Sequence, residues 1–187
     1  MIKIESLLFL LILIPFHSCT EEQIKSGVGY VNPVIGAVTY GEQTEDIHGF
    51  GKTFPGAATP FGLVQLSPDT YTGGDNGSGY SWNHKTIEGF SFTHMSGVGW
   101  YGELGNFLVM PTTGEFHTSK GREENPEEGY RSRFKHETEV TKAGYYSVNL
   151  TDYNINAELA AAPHAGMIRF TLIVSLSQKK IKDWNLF

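Results

Sequence analysis

One cysteine in 187 residues, Cys19, removes two common sources of stability at once. A lone thiol can form neither an internal disulfide nor a multi-cysteine zinc site. Charge is scarce as well. Charged residues make up 18% of the chain, too few for a disordered tail or a coiled coil. No basic stripe runs through the body and the formal net charge is -6, so a nucleic-acid partner is not expected. The unbroken apolar run at positions 7–16 is too short to span a bilayer. Convincing helical periodicity is missing before the final residues, and no internal repeat of solenoid length is visible.

What is present points to strands. Aromatic residues reach 13% and there are 22 glycines, a pairing that suits strands joined by tight turns. The hydrophobic fraction of 40% is enough for a real core. Tyr146, Val148 and Leu150 alternate with Ser147, Asn149 and Thr151. Ile155, Ala157 and Leu159 alternate with Asn156, Glu158 and Ala160. Asp152-Tyr153-Asn154 separates the two runs, so they are expected to pair as a hairpin. Ile168, Phe170 and Leu172 repeat the pattern, and positions 62–66, 87–93 and 106–110 read as further short strands. Positions 73–79 and 119–129 read as loops by composition. Many short strands with Gly and Pro turns predict an all-β fold, an antiparallel β-sandwich.

The first 18 residues read as a signal peptide: Lys3 gives a positive start, the apolar run follows, and His17 and Ser18 lead into Cys19. Phe16-His17-Ser18-Cys19 resembles a bacterial lipobox, with Cys19 as the lipidation site, although Phe16 stands where leucine is most common. An ordinary cleaved signal with a chance cysteine is the alternative. Residues 19–28 then form a polar tether, 29–172 the β-sandwich domain, and 173–187 a tail of changed composition with Lys179, Lys180 and Lys182 close together. That tail reads either as a closing helix or as a non-native end from a truncated or frame-shifted gene. The expected location is membrane-anchored through the lipid, periplasmic or at the cell surface.

A series of segments carries a more specific signal. They are Tyr30-Val31-Asn32-Pro33-Val34-Ile35-Gly36, then Thr53-Phe54-Pro55-Gly56 through Pro60-Phe61-Gly62 to Ser67-Pro68-Asp69-Thr70. Ser78-Gly79-Tyr80 follows, then Ile87-Glu88-Gly89-Phe90-Ser91-Phe92-Thr93-His94-Met95-Ser96-Gly97. Gly99, Gly102 and positions 105–111 come next, then Tyr130-Arg131-Ser132-Arg133-Phe134-Lys135-His136-Glu137, Ala143-Gly144-Tyr145-Tyr146 and Ala157-Glu158-Leu159. In order and spacing these resemble the N-terminal domain of glycoside hydrolase family 92, the calcium-dependent exo-α-mannosidases. Lys52 is a minor departure.

The resemblance implies a β-sandwich that packs on a larger (α/α)6 barrel domain, with the active site between them. It implies an inverting reaction whose two catalytic carboxylates and calcium ligands all come from the barrel. The chain is therefore expected to hold no catalytic residue, no metal site and no cofactor of its own. It is expected to be a fragment lacking the barrel, inactive alone, whose partner is a mannose-containing glycan such as an N-glycan or mannan. A non-catalytic carbohydrate-binding surface lipoprotein is the alternative, and a non-functional piece of a broken gene a third reading.

Four residues are candidates for contact with sugar. Trp100 and Glu103 lie in a glycine-flanked loop, where an aromatic ring with a polar edge suits sugar stacking. The resemblance implies that this loop reaches the active site and shapes the leaving-group subsite; plain packing of Trp100 is the other reading. Trp82, after Ser78-Gly79-Tyr80-Ser81, is a second aromatic candidate. His94 ends an apolar strand, where a histidine is either a ligand-facing group or a hydrogen-bonded core residue. Beyond these four, Asp69 reads as a local cap or a substrate contact.

Overall fold

The computed structural model describes residues 26–38, 52–72, 78–95 and 107–173, with the backbone of 184–186. Eleven strands occur among them: β1 (Ala57–Ala58), β2 (Gln65–Asp69), β3 (Thr86–Ile87), β4 (Gly89–Ser91), β5 (Pro111–Thr113), β6 (Ser132–Arg133), β7 (Val140–Lys142), β8 (Tyr145–Leu150), β9 (Ile155–Ala162), β10 (Ala165–Leu172) and β11 (Trp184–Leu186). The only helical elements described are short 3-10 turns, such as His136–Thr138. The fold is all-β with antiparallel sheets, as the sequence predicts.

The largest sheet has the order β10-β9-β8-β7. The expected hairpin is β8 with β9, closed by the Leu150↔Ile155 pair. Asn154 turns its corner at φ +54°, a left-handed conformation that asparagine tolerates better than most residues. The alternation works as read: Tyr146, Val148, Leu150, Ile155, Ala157 and Leu159 are all fully buried on one face. The opposite face carries polar pairs, among them Arg169–Glu158 and Asn156–Asn149.

A second layer, β1-β2-β4, lies across that buried face. Leu66 packs so closely on the β10 backbone that a side chain at Gly166 would sit 2.3 Å from it. Pro68 lies inside β2, where a missing N–H would normally break the ladder. Here it costs nothing. Its opposite residue is Phe90, whose amide and carbonyl both bond to Val109 at 2.9 Å.

Two expected strands shift. Position 62 belongs to a turn, closed by the Gly62 amide on the Thr59 carbonyl, so β2 starts at Gln65. In 107–110 only Val109 bridges to β4, and the ladder continues instead as β5, which pairs with β11. β11 falls in the stretch 173–187, where the sequence shows its change of composition.

Candidate functional site

Residues 78–82 run between β2 and the turn at His136–Thr138, and nearly every one is anchored. The Gly79 carbonyl accepts from Thr70 and Tyr71, the Ser81 amide donates to the Thr70 hydroxyl, and the Trp82 amide donates to the Ala37 carbonyl. Gly79 has φ +70°, and a Cβ there would lie 2.5 Å from Asp69 Oδ1, so both conformation and space demand glycine. This segment connects two buried polar clusters.

The first is Asp69 with His94. His94 is 3% exposed and engaged at both ring nitrogens. Nδ1 lies 2.9 Å from the Gln65 carbonyl, and Nε2 lies 3.1 Å from Asp69 Oδ1 and 3.3 Å from the Ser91 hydroxyl. Burial alone would lower the histidine pKa. The Asp69 charge and hydrogen bond, with the Gln65 carbonyl, outweigh it and raise the value above normal. Ser, His and Asp meet here, but not as a nucleophilic triad. That mechanism places serine and aspartate on opposite ring nitrogens, whereas both contact Nε2 here, and Ser91 is fully buried.

The second cluster centres on Glu139, whose side chain is 2% exposed. It accepts hydrogen bonds from the hydroxyls of Tyr80 and Tyr146 and pairs with His136 Nδ1 at 2.6 Å. Burial first, then the Glu139 charge, pushes both tyrosines above the usual range, so both remain donors. Trp82 stacks on the His136 ring with centroids 3.8 Å apart and planes 11° apart.

A third cluster lies beside β4. Glu88 is fully buried and pairs with Arg131, with Lys120 at 3.2 Å and with the amide and hydroxyl of Thr72. Lys120 also sits 5.4 Å from the centre of the Tyr71 ring. Near it, Leu108, Met110, Phe116, His117, Thr118 and Tyr130 line a half-open groove of about 330 Å³.

Of the four sugar-contact candidates read from sequence, the structure describes two. Trp82 is partly exposed at 37%, while the His94 ring is sealed from solvent. Segment 78–82 runs between their two clusters: Gly79 lies against His94, and Trp82 is the segment's last residue. Trp100, Glu103 and Cys19 lie outside the described residues. Asp69 proves to be the partner of His94. Sequence reasoning missed His136, Glu139 and Arg131 as site residues. The motif holding His136 and Arg131 was legible, but nothing in it announced long-range partners.

Among the described residues no group of three or more His, Cys, Asp or Glu side chains could hold a metal ion. Glu88 and Glu139 are committed to protein partners, and the one orphaned carboxylate oxygen, Asp69 Oδ2, falls far short of the six to eight oxygens calcium takes, so the described residues do not fit a calcium cradle, and no step through calcium follows from them.

Comparison with known proteins places these residues. A model of the glycosyl hydrolase family 92 N-terminal domain matches residues 30–182. A family GH92 α-mannosidase from Bacteroides thetaiotaomicron superposes with a TM-score of 0.67 and 43% identity, over 78% of this chain and 18% of its own. Another structure of that mannosidase holds mannoimidazole. A family GH92 inverting mannosidase from Bacteroides thetaiotaomicron VPI-5482 shares the fold at 23% identity and a TM-score of 0.60, over 87% of this chain and 20% of its own. An uncharacterized secreted glycosidase of Arthroderma benhamiae is 28% identical over 123 residues, 64% of this chain and 15% of its own length. The chain thus spans no more than 20% of any of these relatives.

Proposed function

The chain belongs to glycosyl hydrolase family 92, and we propose that it supplies the N-terminal, sugar-contacting β-domain of a secreted α-mannosidase acting on mannose-containing glycans. The observation that carries this reading is the 43% identity to the Bacteroides α-mannosidase over 78% of the chain. Secretion rests on the signal-like leader and on the secreted relative, and Cys19 is the proposed lipid anchor.

In this reading the chain shapes a site and does not cut the bond. An inverting glycosidase needs an acid and a base carboxyl about 6.5–9.5 Å apart, with room for water between them. Asp69 and Glu88 are buried, the Glu139 side chain is 2% exposed, and all three are tied to cations or hydroxyls. The acid, the base and the calcium are assigned to a barrel domain that packs against this one. Phe61 supports such a partner: it is fully exposed and held at φ +57°, a strained conformation for a bulky residue, with Leu63 exposed beside it. Trp82, Trp100 and Glu103 are the proposed sugar contacts, and His94 acts from beneath by fixing the strand end.

A chimera tests this. Residues 30–172 replace the matching region of the Bacteroides mannosidase. The chimera is expected to release mannose from α-mannosides in the presence of calcium, and the chain alone is expected to release none. A chimera that melts cooperatively but is inactive overturns the reading. If the chain alone binds α-mannobiose in that case, the non-catalytic binding module replaces it. Within an active chimera, Trp100→Ala should weaken turnover of α-mannobiose more than that of a mannoside with a small activated leaving group, because binding of the remote sugar helps drive the chemical step.

A further inference from the structure

Trp82 presents its indole in an unusual way. One face is covered by the His136 ring at 3.8 Å, and Phe134 closes on that histidine edge-on at 5.1 Å. The residue is 37% exposed, so it is not sealed into the core. His136 itself is held at both nitrogens. Nδ1 lies 2.6 Å from Glu139 Oε2 and Nε2 lies 2.8 Å from the Trp82 backbone carbonyl. The same residue therefore fixes the tryptophan twice, by its ring and by its main chain. Swinging the imidazole away would leave the Glu139 carboxylate, 2% exposed, with the two tyrosine hydroxyls in place of a charge-assisted partner. The Trp82 amide is fastened separately, to Ala37.

We propose that Trp82 is a one-faced platform for a pyranose ring and that His136 is the residue that positions it. The choice of ligand rests on the reading of this domain as a sugar-contacting one; the positioning rests on the geometry alone. A sugar offers a flat C–H face that packs on an aromatic ring, and an indole adds an N–H donor at its edge. A platform whose rotamer is already fixed loses little conformational freedom when the sugar arrives, so more of the contact energy appears as binding. Glu139, Tyr80 and Tyr146 act one step further back, as the buried support of the histidine.

The test uses the full chain with Trp100→Phe and Trp184→Phe, which leaves Trp82 as the sole indole. In the ligand-free arm, His136→Gln removes the flat ring and keeps an N–H donor, and His136→Phe keeps a flat ring and removes both polar nitrogens. Each is expected to weaken the near-ultraviolet circular dichroism of Trp82 and raise its quenching by acrylamide, with the far-ultraviolet spectrum unchanged. Separately, Trp82→Ala in the native background should remove the ring-current shift from the His136 imidazole protons and leave those of Leu159 in place. Unchanged quenching in both folded His136 variants, or unshifted His136 protons in Trp82→Ala, overturns the positioning. If the His136 variants do not fold, the Trp82→Ala spectrum decides.

In the ligand arm, α-mannobiose is titrated into the chimera described above. A shift of the Trp82 indole resonance that is lost in His136→Gln supports the pyranose platform. An active chimera in which that resonance does not respond overturns the sugar assignment of Trp82, while the positioning stands or falls on the first arm.

Discussion

The sheet β7–β10 and the half of the molecule before it solve the same problem differently. In the sheet, long hairpins satisfy the backbone and one face buries six alternating side chains from β8 and β9, none of them charged. In residues 52–133 the strands are two to five residues long, too short to satisfy their own surroundings. There the interior holds charge: Asp69 with His94, and Glu88 with Arg131 and Lys120. Apolar area stabilises the first region, and paired charge fixes the geometry of the second. The candidate sugar-facing segment, 78–82, lies in the second, where position matters more than stability.

The sharpest way to break this contrast is to unpair Glu88. Arg131→Met leaves a fully buried carboxylate with only Lys120 and Thr72, and should cost about 3–5 kcal/mol in urea denaturation. A loss below that of an ordinary core truncation would mean that this half does not depend on its charges. Leu159→Ala provides that yardstick in the sheet. It deletes a fully buried side chain and should cost about 3 kcal/mol by the same measurement.

A smaller effect is expected from pH. The folded His94 pKa lies above its ordinary 6.5. Its charged pair with Asp69 therefore contributes full stability below about pH 6.5, and that contribution is lost as pH rises through the folded value. The urea midpoint should fall on that side in the wild type, and His94→Gln should flatten the fall. An unchanged slope in the variant would remove His94 as its source. The smallest effect belongs to the outer face of the sheet. Glu158→Gln breaks the solvent-facing pair with Arg169 and should leave the midpoint unchanged within error, since such pairs contribute little. A clear loss there would show that charge matters in both regions.

The same contrast explains what was legible. The period-two runs in 145–172 gave the hairpin β8–β9, its turn and the inward face, because a half-buried strand writes its burial directly into alternation. The early strands were misplaced by a few residues. Their ends depend on backbone bonds, such as Gly62 to Thr59 and Phe90 to Val109, that carry no hydrophobic period. At the site, Trp82 was visible as an aromatic near glycines. Glu139 and His136 were not, since their importance comes from Tyr80 and Trp82, more than fifty positions away.

By itself the sequence determined the fold class, the family and the strands whose two faces differ in polarity, because those follow from local composition and from motifs in fixed order. Only the tertiary structure decided that Asp69 serves His94, that Glu139 gathers two tyrosines and a histidine, and that one face of Trp82 is already occupied. The physical reason is that burial turns distant polar groups into obligatory partners, and a linear pattern cannot show which of them will meet.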